Sequence, residues 1–300
     1  MSSRTASPRK SGRAATKRTS LSRLNEAILS KQRNALRDSV QKVLPASVTR
    51  DEFEAHLNHM PLRYWGSVTT TDVVWHLQAL NTFFKNLVYD QTEAVAPVIC
   101  WRHFPRSRYS EALVCTWNRH GLFAKVAGSF AMNGMNILQA DIHTRTDHLI
   151  LDLFRVCDED NHCITSKARI QNVAKWLGKS LEGMQDVPFS DILKKEDSRS
   201  SRRPKRRVTK PAIEFDNGSL HDHTILRIHT PDRIGLLYDI LQILTLNGVD
   251  IAQAKIQTRE HTATDEFQIT DKRGLKITDL SRLDTIRDLL LEMIARGVEE

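Results

Sequence analysis

Apolar residues recur along this chain in two rhythms, one helical and one alternating, and the change from one to the other falls near residue 95. Leu21, Leu24 and Ile28, then Leu36, Val40 and Val43, make an apolar stripe at helical spacing that stops at Pro45. Thr49 and Glu52 have the spacing of a capping box, in which each side chain satisfies the other residue's backbone N–H. Val73, Val74, Leu77, Leu80, Phe84 and Leu87 mark another amphipathic helix. Residues 21–94 therefore read as a helical segment whose stripe is an ordinary core or a partner surface. His56, His59 and His76 lie on these helices and read as packing or surface histidines.

Beyond residue 95 the pattern is duplicated. Shifting the chain by 114 residues aligns 116–145 with 230–259 without a gap, and twelve of the thirty pairs are identical. Each copy opens with a β-rich run, "EALVCTW" or "HTILRIHT". A helix with a wide apolar face follows: Leu122, Val126 and Phe130 in one copy, Leu236, Ile240 and Leu244 in the other. Asn133-Gly134 and Asn247-Gly248 end these helices, since glycine tolerates the left-handed conformation found past a helix end. "NILQADIHT" and "DIAQAKIQT" then alternate as half-buried strands, "HLILDLFRV" and "ATDEFQIT" supply the next strands, and 165–181 and 279–295 carry helical spacing. After a one-residue slip, Asp152 and Phe154 match Asp265 and Phe267. The order β-α-β-β-α makes an α+β fold with two helices on one face of an antiparallel sheet, the ferredoxin-like plan. That plan expects one more strand per unit. The matching segments "VICW" and "AIEF" are predicted to add it from the N-terminal side, with Ile213 and Phe215 paired in the sheet.

Composition narrows the classes. A hydrophobic content of 40% and charged content of 27% describe a globular chain, and no run approaches the roughly 18 apolar residues of a membrane helix. The net charge of +8 is concentrated: residues 1–20 carry +6, residues 194–210 carry +7, and the remainder is about −5. The basic runs read as a disordered tail at 1–20 and a linker at 194–210. The tail has the acid-free composition of a transit peptide without its amphipathic pattern, and it lacks the apolar core of a secretory signal. No zinc finger, aromatic RNA motif or recognition helix accompanies them, so nucleic acid is not the expected partner. Cys100, Cys115, Cys157 and Cys163 form no C-x-x-C pair, three of them lie in apolar strands, and a reducing cytoplasm suits them.

The candidate chemistry lies where strand meets helix. Asp232-Arg233 precedes Gly235-Leu236 in one copy, and Asn118 precedes Gly121-Leu122 in the other. Unpaired N–H groups and partial positive charge at such a helix start favour a carboxylate, and glycine allows close approach to the backbone. An acid such as Asp232 suits an ammonium group. Both charges of an amino acid are thereby provided for, although the same residues also serve as a helix cap and a turn. Asp250-Ile251 and Asn136, at the starts of the next strands, complete the candidate ligand-binding set.

The paired N/D-R-x-G-L phrases, the Asn-Gly helix ends and the A-x-I-x-T strands resemble ACT domains, small regulatory modules that commonly bind amino acids. "MPLRYWGSVTTTDVVWHLQAL", the "RRPKRR" linker and "PAIEFDN" extend the likeness. With them, the region from about Glu52 to Ile294 resembles the C-terminal part of the bifunctional PII uridylyltransferase/uridylyl-removing enzyme family. The resemblance implies two tandem ferredoxin-like ACT domains at 95–193 and 211–300 behind a helical segment. It also implies a glutamine effector, and the PII signal protein or a catalytic uridylyltransferase chain as target. A homodimer through the ACT units is a further option. Asn118 and His120 depart from the family's Asp and Pro, Ile234 from its Pro, and Glu260-His261 from its Gly-Glu. The Gly-Ser turn and carboxylates of a nucleotidyltransferase, and the dispersed His and Asp ligands of an HD hydrolase, are not found in the sequence. "HDH" at His221 to His223 lies at a strand entrance without further ligands. The expected protein is thus a non-catalytic regulator needing no metal or cofactor. A component completing a uridylyltransferase in trans and a nucleic-acid-associated regulator are the alternatives.

Overall fold

The computed structural model describes residues 11–89, 96–182, 210–220, 222–259 and 261–299, and for 11–22 and 297–299 the backbone alone. The first ten residues and the basic linker up to residue 209 lie outside these. Contacts divide the chain into two units, Met1–Asn81 and Thr82–Glu300.

The first unit is helical. Its α1 (Ser11–Gln41) starts ahead of the expected boundary at 21; α2 (Arg50–His59) is closed by the predicted capping box. There the Thr49 N–H donates to Glu52 at 2.6 Å and the Glu52 N–H donates to Thr49 Oγ1 at 3.1 Å. A short 3-10 turn, Leu62–Gly66, leads into α3 (Thr70–Tyr89). Val40, Phe53, Leu57, Tyr64, Trp65, Val73 and Leu77 form the core of this unit. Two of the three histidines are interior: His56 Nε2 lies 3.1 Å and His76 Nδ1 2.7 Å from the Tyr64 hydroxyl, and all three residues are buried. The α1 stripe is only partly core, because Leu24, Ile28 and Val43 are exposed while Val40 is buried.

The second unit holds both repeats in a single eight-stranded antiparallel sheet. Its strands are β1 (Val98–Phe104), β2 (Tyr109–Trp117), β3 (Met135–Asp141) and β4 (Leu149–Asp158) in the first repeat. The second supplies β5 (Ala212–Asp216), β6 (Thr224–Pro231), β7 (Val249–Arg259) and β8 (Thr262–Asp271). The order across the sheet is β1-β2-β4-β3-β7-β8-β6-β5. The extra strands enter from the N-terminal side as expected: β1 pairs with β2, and β5 pairs with β6 through Ile213↔Ile228 and Phe215↔Leu226.

Four helices, α4 (Leu122–Ala131), α5 (Lys167–Leu181), α6 (Leu236–Leu246) and α7 (Leu280–Glu299), complete the unit. Their apolar faces meet the even-numbered side of β4 and its equivalents in one continuous core that includes Val126, Phe130, Phe154, Ile240, Leu244, Phe267, Ile286 and Leu290. Continuity of the core across both repeats means that neither repeat buries its apolar face alone.

The seam between the repeats is short. Gln139 faces Gln257, Ala140 faces Ile256 and Asp141 faces Lys255. Since Asp141 and Lys255 are themselves 114 residues apart, this pair lies on a pseudo-two-fold axis that exchanges the repeats. Local detail obeys the same axis. The β3 and β7 registers slip at equivalent points, between Ile137 and Gln139 and between Ile251 and Gln253. Buried Asp152 and Asp265 accept equivalent backbone N–H groups, from His143 at 2.9 Å and Gln257 at 3.3 Å. Burial pushes the thiols of Cys100, Cys115 and Cys157 up, that of Cys157 to about 12, so they stay protonated as packing groups, as their strand positions predict.

Candidate functional site

Each strand-to-helix loop is fixed by its own backbone. The Asp232 N–H donates to the His261 carbonyl at 2.8 Å, and the equivalent Asn118 N–H donates to His148 at 2.7 Å. Gly235 and Gly121 follow with φ of 84° and 72° and initiate α6 and α4. This left-handed step is open to glycine at little cost, and the first helical N–H of each helix, Leu236 and Leu122, turns back to the Arg233 and Arg119 carbonyls at 3.2 and 3.1 Å.

The arginines in these loops pin them to neighbouring helices. Arg233 is ion-paired with Asp239 on α6 and reaches Met293 Sδ on α7 at 3.6 Å. Arg119 donates to the Leu181 carbonyl at the end of α5 at 2.9 Å. Burial pushes the Asp239 carboxyl up, and the Arg233 guanidinium opposes that shift.

The candidate ligand residues assemble in a way the repeat-by-repeat sequence reading does not anticipate. Asn136, from β3 of the first repeat, donates to Asp232 Oδ2 of the second at 2.7 Å. Asp250 Oδ1, from β7 of the second repeat, lies 2.6 Å from His120 Nδ1 of the first. Each loop thus faces the strand of the other repeat, as the pseudo-two-fold axis requires. Asp232, Arg233, Gly235, Leu236 and Asn136 come together, whereas Asn118 and Gly121 lie in the loop that also carries His120, which faces Asp250, and Leu122 opens α4 just after it. Ile251 packs against the common core.

The first of these groupings borders a narrow cleft, walled by Ala127, Ala131 and Asn136 from one repeat and Asp232, Leu236 and Asp265 from the other. Asp232 is only 8% exposed. Asp265 lies deeper, and burial pushes its carboxyl up to about 8, against the Gln257 N–H bond and assisted by the nearby charge of Asp232. The cleft therefore presents one acid, one protonated acid, an amide and a helix start, a donor and acceptor set suited to a small zwitterion. Sequence reasoning missed Asp265 as part of the site, although its repeat partner Asp152 is visible after the one-residue slip. It also missed His120, because nothing in a single repeat marks a residue that acts across the axis.

At the "HDH" stretch, His223 Nδ1 lies 2.9 Å from Asp222, and His221 lies outside the described residues. Among the described residues no three His, Cys, Asp or Glu side chains are grouped to hold a metal ion, and no helix is long and apolar enough to cross a membrane.

Residues 212–298 match the family described as ACR9-like, ACT-like domain. The chain is 34% identical over 200 residues to the bifunctional uridylyltransferase/uridylyl-removing enzyme of Rhodospirillum rubrum, and 29% identical over 290 residues to that of Gluconobacter oxydans. Bifunctional uridylyltransferase/uridylyl-removing enzymes are homologues of this chain. These alignments cover 65% and 96% of the chain but only 21% and 28% of the two relatives, so the chain spans about a quarter of their length. Among solved structures, aspartate kinase from Synechocystis is similar at a TM-score of 0.34 and 13% identity, over 62% of this chain and 26% of that one. Residues 212–298 are thus ACT-like, and the first repeat has the same order of strands and helices, in a chain related to part of a uridylyltransferase.

Proposed function

We propose that this chain is an amino-acid sensor, with glutamine as its effector, that regulates uridylyl transfer or removal by uridylyltransferase catalytic domains. The cleft at Asp232 carries this reading. A largely buried carboxylate, held by Asn136 of the other repeat, stands beside a helix start, so ammonium and carboxylate groups of one small ligand each meet a complementary partner. Both repeats contribute to the wall, and a ligand bound there stabilises one arrangement of the two repeats over others, which is the physical requirement for a regulatory effect. The likeness to uridylyltransferases supports glutamine as the effector and the PII protein or a catalytic chain as the target.

A thermal-shift screen of the twenty amino acids tests the reading. A ligand present at one hundred times its Kd contributes about 2.7 kcal/mol, enough to raise the melting temperature by about 5 °C in a unit of this size. The expected outcome is such a rise with glutamine, absent in Asp232→Ala. A chain that responds to none of the twenty contradicts the reading.

A further inference from the structure

The eight-stranded sheet ends in two equivalent strands, β1 and β5, and among the described residues no strand pairs with the outer edge of either. A free edge offers backbone N–H and C=O groups to any extended chain, and sheets suppress such pairing with short or charged edge strands. β5 carries this protection. It spans five residues, its central residue is the exposed Glu214, and Asp216 ends it by accepting the Gly218 and Ser219 N–H groups at 2.8 and 3.0 Å. β1 lacks it. It runs for seven residues, and Val98, Cys100 and Trp101 stand at the positions of Ala212, Glu214 and Phe215. Its "VICW" run has no charge, proline or glycine, and Val, Ile and Trp favour strands.

Charge and symmetry select what fits this edge. When a strand pairs antiparallel with a copy of itself in full overlap, its central residue faces itself and the others pair across the centre. For β5 that sets Glu214 against Glu214, and like charges directly opposite are unfavourable. For β1 the centre is Trp101, so Trp101 faces Trp101, Cys100 faces Arg102, Ile99 faces His103 and Val98 faces Phe104. Aromatic pairs and aromatic–aliphatic pairs of this kind stabilise sheets, and Arg102 never meets itself. Ile99 and Trp101 pack on the helix side of the sheet, where the Trp101 ring meets Phe130 edge-on with centroids 6.1 Å apart. Joining equivalent strands about a two-fold is already how the sheet is built, at the β3–β7 seam.

We propose that β1 is a dimer edge: two copies of this chain pair through Val98–Phe104, antiparallel and centred on Trp101, and fuse their two sheets into one. The inference is independent of what the Asp232 cleft binds. The contact is isologous and therefore closed, and the mutual repulsion of Glu214 stops a second pairing at β5. A single strand ladder is a small interface, so the dimer forms and parts reversibly with concentration.

Sedimentation equilibrium of the full chain, from micromolar to millimolar concentration, measures the association. The expected result is a reversible monomer–dimer equilibrium. Cys100→Lys sets a lysine against Arg102 at two places in the contact and is expected to raise the dimer Kd about tenfold. Adding Arg102→Glu turns both into lysine–glutamate pairs and is expected to restore the dimer. A chain that stays monomeric throughout overturns the proposal. So does a folded Cys100→Lys variant that dimerises as the wild type does, or a folded double variant no tighter than Cys100→Lys. Glu214→Ala is expected to leave the association unchanged, and a tighter dimer in that variant would put the interface at β5 instead. If Cys100→Lys loses its circular dichroism or cooperative melt, hydrogen exchange of the wild type decides. Amides of 98–104 are expected to exchange more slowly as concentration rises while those of 212–216 do not change, and exchange in 98–104 that is independent of concentration overturns the proposal.

Discussion

Asn136 and Asp232 belong to different repeats, yet the amide of one donates to the carboxylate of the other at 2.7 Å. Removing that donor in Asn136→Ala leaves a largely buried carboxylate short of a partner, with an expected cost of about 1.5–3 kcal/mol. Asn136→Asp goes further by setting two carboxyls against each other. Its deficit should shrink as the pH falls toward the ordinary carboxylate value of about 4, because the like charge makes one of the pair take up a proton above that value. Urea denaturation at neutral and acidic pH checks both variants, and equal deficits for Asn136→Asp at the two pH values would contradict the contact.

Asp265 gives a pH dependence with a definite sign. Its carboxyl is raised by burial from 3.8 to about 8 in the folded chain. The folded state therefore holds a proton that the unfolded state releases, and the associated stability is complete below about pH 4 and is lost as the pH rises through about 8. Asp265→Asn retains an acceptor for the Gln257 N–H and cannot ionise. Relative to the wild type it should gain stability steadily between about pH 5 and about pH 8. A stability difference that stays flat across that window would show that Asp265 titrates normally.

The Arg233–Asp239 ion pair is nearly enclosed, with side chains 13% and 1% exposed, and the second Asp239 oxygen has no hydrogen-bond partner. Asp239→Ala strands the guanidinium and is expected to cost about 3–5 kcal/mol. The double replacement of Arg233 and Asp239 by leucines should cost less than Asp239→Ala alone, because no charge is left buried. Melting temperatures of the three proteins test the order.

His148 and His261 occupy equivalent hairpin positions, and both adopt left-handed backbone, φ 66°. Their carbonyls receive the Asn118 and Asp232 N–H groups, so the strained residues hold the two loops. A left-handed L-residue costs roughly 1–2 kcal/mol, which Gly would avoid. His261→Gly is expected to be neutral or stabilising by up to about 1 kcal/mol, whereas His261→Val should destabilise, because a β-branched residue is an outlier there. Differential scanning calorimetry separates the two outcomes. A Val variant as stable as Gly would show that the backbone changes conformation freely.

Much of the fold is legible in the sequence because it follows from local periodicity. The helices beginning at Leu122 and Leu236 declare themselves by apolar spacing, and the capping box at Thr49 by two residues. The strands at Val98 and Ala212 were predictable only because duplication showed that each unit lacked one. The site was less legible. Asn136 and Asp232 are far apart in sequence, and what brings them together is the antiparallel pairing of Asp141 with Lys255, a choice between two strand edges that no local pattern encodes. The stripe on α1 shows the opposite limit: Leu24 and Ile28 have helical spacing, but spacing alone does not supply a surface to cover them, and they remain exposed.

The position of β5 has one further consequence. In the ferredoxin-like plan the last strand lies beside the first, and β5 lies in that place, beside β6, though it comes before it in the chain. Each repeat is therefore a circular permutant of that plan. The same sheet neighbours are made although the covalent chain enters at a different point, with β5 held by its pairing to β6 and by Ile213 in the core. Strand neighbours, and not strand sequence order, are what this architecture preserves, which leaves the connections between the repeats free to carry chain of a very different character.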